Sequence, residues 1–267
     1  MTRLLCLLFH DVYQHDPLGS GFIGASADRY KLTLKELDTQ LAGLASVRDD
    51  RPVLLTEEAP ARANMQEPVP YAITVDDGGV SYYTLLADRL EARSWRGHCF
   101  VTTGYIGRPG FLGTSQIREL HQRGHAIGTH SVSHPARFSS LSDTQMRREW
   151  DDSRKALQDI VGADITTASV PGGYFSRRVA LAAAAAGLTV LFTSEPETAV
   201  RRIEGCRVIG RFTVRHGCPS DFSAALAALD VGARAREWGV WNAKKVVKGV
   251  LGAGYPRVTQ WISRVDP

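Results

Sequence analysis

A chain of 267 residues, 43% hydrophobic and 22% charged, has the composition of an ordinary soluble globular protein and is long enough to bury a core without staples. A net charge of +4 excludes the dense basic face of a dedicated nucleic-acid binder. Cys6, Cys99, Cys206 and Cys218 are widely spaced with no Cys-x-x-Cys pair, which excludes a zinc-thiolate signature and a disulfide framework.

The apolar run Leu4 to Phe9 does not alternate, so it reads as a strand buried on both faces. His10-Asp11 ends it too early for a signal peptide or membrane span, and a cytoplasmic location is the expectation that follows. His10-Asp11 also falls where α/β barrels place functional residues, the alternative being a His tied to a loop. Thr33 is a candidate N-cap for a helix carrying Leu34, Leu37, Leu41 and Leu44. Val53 to Thr56 reads as a short strand and Glu57 to Pro70 as a loop. Tyr71 to Val75 is a buried strand, followed by Asp76-Asp77-Gly78-Gly79 and a helix with Tyr82, Leu85, Leu86 and Leu90 on one face.

Cys99 to Thr103 is a strand, Ser115 an N-cap, and Gly124 a stop before the strand His125 to His130. Ser142 opens a long helix to about Val161, with Met146, Trp150, Ser153, Leu157 and Ile160 on one stripe. A strand over 168–170, a Pro171-Gly172-Gly173 turn and an alanine-rich helix over 179–186 follow. The strand Leu188 to Thr193 comes next, and at least one more lies within 207–214. Strands alternating with helices of ten to fifteen residues predict a parallel sheet or barrel.

Two features carry chemistry. The paired carboxylates of Asp76 and Asp77 at a strand end suit one acid that binds a cation and one that handles a proton, the alternative being a β-turn that caps the next helix. His130-Ser131-Val132-Ser133-His134 places two imidazoles four apart, which on one helical turn face the same side and reach one ion. Two His and one Asp leave coordination positions open, as a catalytic site requires.

Together, Thr74-Val75-Asp76-Asp77-Gly78 and Gly124-His125-Ala126-Ile127-Gly128-Thr129-His130-Ser131-Val132-Ser133-His134-Pro135 resemble the polysaccharide deacetylases, the NodB-homology or family-four carbohydrate esterases. Leu8-Phe9-His10-Asp11-Val12 also looks like the opening strand of many members, so the resemblance covers nearly the whole chain. It implies an α/β deformed (β/α) barrel over 1–267 that removes an N-acetyl group from an amino sugar in a glycan or glycan precursor. Asp77, His130 and His134 would hold one divalent metal, zinc first, with cobalt or another divalent ion as alternatives. Asp76 would be the general base toward the attacking water. The Gly172 N–H would be the oxyanion donor, on the Ser169-Val170-Pro171-Gly172-Gly173-Tyr174 stretch. His216, in Val214-Arg215-His216, would be the general acid, the alternative being a solvated loop residue.

The chain departs from the family pattern twice. Ser169 stands where an arginine would orient the catalytic aspartate, and Arg211 is a candidate replacement. The wall-tryptophan motif is missing, with Ser194-Glu195-Pro196-Glu197 near its place. These departures leave a catalytically weakened carbohydrate-binding relative as an alternative, and a deacetylase of an O-acetyl ester or non-sugar amide as another. The segment 234–267 interleaves Arg234, Arg236, Lys244, Lys245, Lys248, Arg257 and Arg264 with Trp238, Trp241, Trp261 and aliphatic residues. It reads as a helix that closes the barrel with a solvated basic face, or as a peripheral membrane contact.

Overall fold

The computed structural model describes residues 3–55 and 69–251. The strands are β1 (Leu5–Phe9), β2 (Val12–Tyr13), β3 (Leu32–Thr33), β4 (Tyr71–Val75), β5 (His98–Val101), β6 (Ala126–Thr129), β7 (Thr167–Ser169), β8 (Val190–Phe192), β9 (Val200–Ile203), β10 (Cys206–Ile209) and β11 (Phe212–Thr213). The helices are α1 (Ala25–Asp28), α2 (Leu34–Val47), α3 (Ala87–Glu91), α4 (Thr114–Gln122), α5 (Asp143–Val161), α6 (Arg177–Ala185), α7 (Phe222–Ala227) and α8 (Val231–Leu251). A π-helical turn over Tyr82–Leu86 leads into α3.

Nine strands form one sheet in the order β11-β1-β4-β5-β6-β7-β8-β10-β9, while β2 and β3 pair separately. Pairing is parallel throughout the large sheet except between β9 and β10. Only Gly210 and Arg211 separate β10 from β11, yet these strands lie near opposite ends of the order, so the sheet must curl back on itself. At the other end of β1, Leu4 N–H donates to Thr198 O at 2.8 Å and Arg3 bridges Ala199. The result is the expected deformed (β/α) barrel.

Residues of β1 are buried on both faces, as the absence of alternation predicts. Leu5, Leu7 and Phe9 join the apolar cluster shared with α2 and α4, whereas Cys6 packs with Ala72, Phe100, Phe192 and Ile209. The α2 cap is a full capping box, with Thr33 Oγ1 accepting from Glu36 N–H at 3.2 Å and Glu36 accepting from Thr33 N–H at 2.8 Å. Ser142 caps α5 in the same way with Gln145, and Met146, Trp150, Ser153 and Leu157 form its buried stripe.

Two expectations are corrected and one strand is added. Val53 to Leu55 is not a strand; Val53 N–H instead donates to Tyr71 O at 2.8 Å. Ser115 is not the cap of α4: the cap lies two residues earlier, at Gly113, whose N–H bonds to Gln116 Oε1 at 2.8 Å. The antiparallel edge strand β9 was not expected, because Arg201 and Arg202 are exposed and give it no apolar run. Thr56 and most of the expected 57–70 loop lie outside the described residues, as do 252–267 of the basic segment. Among the described residues, no helix is long and apolar enough to cross a membrane.

Candidate metal centre

The barrel brings its chemistry to the C-terminal ends of neighbouring strands, the face such folds use for function. Asp76 and His130 each stand one residue past a strand. Asp76 N–H bonds to Phe9 O at 3.1 Å, and His130 N–H to Val101 O at 2.9 Å, so the ladder itself fixes both backbones. Asp77 follows with φ of 77°, a conformation non-glycine residues seldom adopt. That reversal is what lets two adjacent carboxylates face one cleft rather than opposite sides of a strand.

Asp77 Oδ1 lies 3.4 Å from His130 Nε2 and 3.5 Å from His134 Nε2. The three potential ligand atoms all fall within 4.8 Å of one another. The two imidazoles do not converge through helical spacing, as the sequence had suggested. Residues 130–134 form an irregular loop with positive φ at Ser131 (68°) and His134 (51°). Helix α5 holds this loop. Glu149 accepts from Val132 N–H and Ser133 N–H at 2.9 Å and from Ser133 Oγ at 2.6 Å, and Ser153 Oγ donates to Ser131 O at 3.2 Å.

His130 Nδ1 is 2.9 Å from the Ser169 carbonyl, which can only accept. Nδ1 therefore carries a proton, and Nε2 faces Asp77 and His134, where it donates to Asp77 when protonated and offers its lone pair to a cation when not. The neutral Nδ1–H tautomer, an ionised Asp77 and a neutral His134 make one oxygen and two imidazole nitrogens. That donor set fits a zinc-like divalent cation with open positions.

Arg211, on the two-residue link between β10 and β11, is completely buried beside Asp76. Its Nη1 donates to Asp76 Oδ1 at 2.7 Å and Thr74 Oγ1 at 3.2 Å. Nη2 donates to Asp76 Oδ2 at 2.8 Å and Ser169 Oγ at 2.7 Å, and Nε to Thr193 O at 2.9 Å. All five guanidinium N–H groups are thereby used. Ser169, at the position of the absent arginine, donates its own hydroxyl to Asp76 Oδ2 at 2.9 Å. Burial alone would raise the Asp76 carboxyl, but the Arg211 charge together with His130 outweighs it and holds the group well below the ordinary carboxylate range. Asp77 is likewise lowered against burial by its His130 hydrogen bond and by His10 and His134. His130 is raised, since the two aspartates overcome its desolvation, while burial and the His130 charge push His134 down to about 4.

These groups open onto a cleft of 710 Å³ that also reaches His10, Gly172, Tyr174 and Glu195. Gly172 has φ of +65°, and a Cβ there would meet Ala136 O at 3.0 Å, so the turn that carries its amide requires glycine. His10 is half-buried, with its Nδ1 out of solvent and unpartnered among the described residues and its ring 4.9 Å from that of Tyr30. Desolvation lowers its pKa against the pull of Asp77 and Asp76. His216, the expected acid, is a correction. Its side chain is 55% exposed and lies 3.0 Å from Glu36 at the α2 cap, and it does not line the cleft. The chain turns outward after Val214, leaving Thr213 and Arg215 at the cleft instead.

Two further residues support the site. Phe22 packs on His134 at 4.7 Å between ring centroids. Asp11 is a buried clasp whose Oδ1 accepts from Ser20 Oγ at 2.6 Å and Ser81 Oγ at 2.9 Å. Its carboxylate lies so close to Gly21 and Gly79 that a Cβ at either would fall 1.7 Å from an Asp11 oxygen. Desolvation, with the Asp77 charge nearby, pushes the Asp11 carboxyl up to about 6.

Residues 64–191 match the family model described as polysaccharide deacetylase. Two Bacillus subtilis (strain 168) proteins assigned to the polysaccharide deacetylases are similar. YheN is 27% identical over 127 residues, covering 48% of this chain and 43% of YheN. YxkH is 28% identical over 158 residues, covering 59% of this chain and 56% of YxkH. The chain thus spans about half the length of these relatives. Among solved structures, the Streptococcus pyogenes deacetylase PplD in complex with acetate superposes with a TM-score of 0.69 at 19% identity, over 84% of this chain and 96% of that one. IcaB from Ammonifex degensii does so with a TM-score of 0.66 at 20% identity, over 85% and 97%. At these identities the superpositions establish the fold.

Proposed function

We propose that the chain is a member of the polysaccharide deacetylase family, whose model matches residues 64–191, and that it hydrolyses the N-acetyl group of an amino sugar in a glycan or glycan precursor, using one divalent cation. The observation that carries this reading is the pairing, in one cleft, of an Asp76 held ionised by Arg211 with the Asp77, His130 and His134 ligand set.

Asp77 Oδ1 and the Nε2 atoms of His130 and His134 would hold the cation, with zinc first on donor chemistry. When bound, such an ion supplies Lewis-acid chemistry, polarising the acyl carbonyl and making water acidic near neutral pH. Asp76 accepts a proton from the attacking water. Its depressed pKa suits it to remain a carboxylate at any working pH, and a strong base is not needed for an acidified water. The water oxygen bonds to the acetyl carbon, and the Gly172 N–H steadies the oxyanion. The C–N bond then breaks, acetate leaves, and the sugar amine takes a proton. His10 is the imidazole we assign as its donor, since it lies in the cleft beside both aspartates and His216 does not.

The competing reading, a binding protein that has lost turnover, drew its support from the missing arginine and the missing tryptophan motif; the Arg211 ion pair removes the first of these. Acetate release from a panel of N-acetylated glycans tests the proposal, before and after chelation and return of zinc or cobalt. Release that requires metal and vanishes in Asp76→Asn is the expected result. A metal-loaded protein that releases nothing from any acetylated glycan would leave the binding reading standing.

A further inference from the structure

Charge in the cleft is matched pair by pair, with one remainder. Among the described residues its lining carboxylates are Asp76, Asp77, Glu195 and Glu237. Asp76 is bound by Arg211, and Glu237 takes both prongs of Arg215 at 3.0 and 3.3 Å. Glu195 meets Arg201, and Asp77 lies against the imidazoles of His130 and His134. Arg211 and Arg215 are thereby committed to carboxylates of the same cleft. Arg137 lines it too, and among the described residues its guanidinium has neither a carboxylate partner nor a hydrogen-bond acceptor.

Arg137 is exposed but held in place. Its backbone lies three residues past the ligand His134, and its carbonyl accepts from Ser140 Oγ at 2.7 Å and Ser140 N–H at 3.0 Å. The preceding residue packs on the Gly172 turn, since a Cβ at Gly172 would meet Ala136 O at 3.0 Å. Beyond that turn comes Tyr174, and the Arg137 guanidinium carbon stands 5.0 Å over the centroid of its ring. An aromatic face holds a guanidinium by one flat side and leaves the N–H edges open. Those edges form the fork that matches the two oxygens of a phosphate or carboxylate. The fork is therefore presented between the metal ligands and the proposed oxyanion donor, on a cleft wall whose own acids are already matched.

We propose that Arg137 is a specificity residue that binds an anionic group, a phosphate or a carboxylate, carried by the acetamido sugar or joined directly to it. This rests on the deacetylase reading above for the identity of the reacting unit. The Tyr174 ring seats the guanidinium, and the anion completes the one cation of the cleft that the described residues leave without a counter-charge.

The test is titration calorimetry on the full chain as the zinc-loaded Asp76→Asn protein, in which binding is read without turnover. Chelated wild-type protein serves as a second parent, because it keeps the Asp76–Arg211 pair and carries no zinc to draw the anion. The probes are N-acetylglucosamine, its 1-phosphate, its 6-phosphate and its 6-carboxylate, which separate the two anion chemistries and their positions. At least one anionic probe should bind roughly tenfold more tightly than the neutral sugar in both parents. Arg137→Gln should bring that probe down to the affinity of the neutral sugar. Arg137→Lys should keep part of the preference, since the charge stays and the fork is lost, and a general folding defect would not allow that. Equal binding of neutral and anionic probes overturns the site. A preference that Arg137→Gln retains, or that vanishes on chelation, places the anion elsewhere and overturns it as well. Acetate release by wild-type protein from the same probes is scored separately. An Arg137-dependent preference in a protein that releases no acetate would sink the deacetylase reading alone, and acetate release with no anion preference would sink the anion site alone.

Discussion

Arg211 closes a two-pronged ion pair on Asp76 from 135 residues away in sequence, with both side chains out of solvent. Such a pair contributes little net stability when made, but removing one partner strands a buried charge and costs about 3–5 kcal/mol. Arg211→Met should therefore lower the unfolding free energy by about that amount in urea titrations. The sign of the pH dependence follows from the lowered Asp76 pKa. Its stabilisation is fully present above the unfolded value of about 3.9 and is lost only as pH falls through the folded value. The difference between wild type and Arg211→Met should be largest near neutral pH and shrink as acid protonates the stranded Asp76 of the variant, whose carboxyl burial now raises. A constant difference down to pH 2 would show that the ion pair is not its source.

Local signals made the barrel and the ligand set readable. Runs such as Leu4 to Phe9 and Tyr71 to Val75 are apolar because both their faces are covered, and Thr33 and Ser142 announce helices because their caps are formed by neighbours in sequence. Asp76, Asp77, His130 and His134 stood in two short stretches. What was hidden is what depends on closure of the sheet. Arg211 could be named from the sequence only as a candidate for the missing arginine, and its pairing with Asp76 bears that out; the contact itself depends on β11 returning beside β1, since an arginine between two short strands has no pattern of its own. Glu149 looks like one more acid on a polar helix, although it binds the loop carrying His134. His216 misled for the converse reason: a suitable residue type close to the last core strand ended on the outside, against Glu36.

Asp11 should make the fold less stable as pH rises. Its carboxyl is raised to about 6, so the folded chain binds this proton more tightly than the unfolded chain does. Between about pH 4 and pH 6 the native state holds more protons, and the shift is worth roughly 3 kcal/mol by pH 7.5. Asp11→Asn removes this titration while keeping the side chain's size. Unfolding titrations at pH 5 and pH 7.5 on chelated protein should show a stability loss in wild type that exceeds the loss in the variant. Equal losses would mean that Asp11 stays ionised across the range.

Metal loading should read out as stability as well as activity. A cation that binds only the folded ligand set at a hundred times its dissociation constant adds about 2.7 kcal/mol. Zinc should raise the thermal midpoint of the wild type, chelation should reverse the rise, and Asp77→Asn or His134→Ala should abolish most of it. His216→Gln should keep the full response, because that ring binds Glu36 outside the cleft. A zinc response retained by both ligand variants would place the bound ion elsewhere.

His10 and His216 can be separated as proton donors by the alkaline limb of the pH–rate profile. A general acid must be protonated to act, so its loss removes the fall in rate at higher pH, and positioned proton transfer contributes about 10²–10⁴ in rate. His10→Gln should therefore lower kcat by roughly that factor on an N-acetyl substrate and flatten the alkaline limb. It should spare a substrate with an acidic leaving group, such as an aryl acetate, far more, because that group departs without a proton. His216→Gln should alter neither limb, although it gives up a contact with the Glu36 of the α2 capping box and should soften that helix end slightly. The reverse pattern, with an intact profile in His10→Gln and a lost limb in His216→Gln, would return the acid to the end of β11 and would require that loop to turn inward when substrate binds.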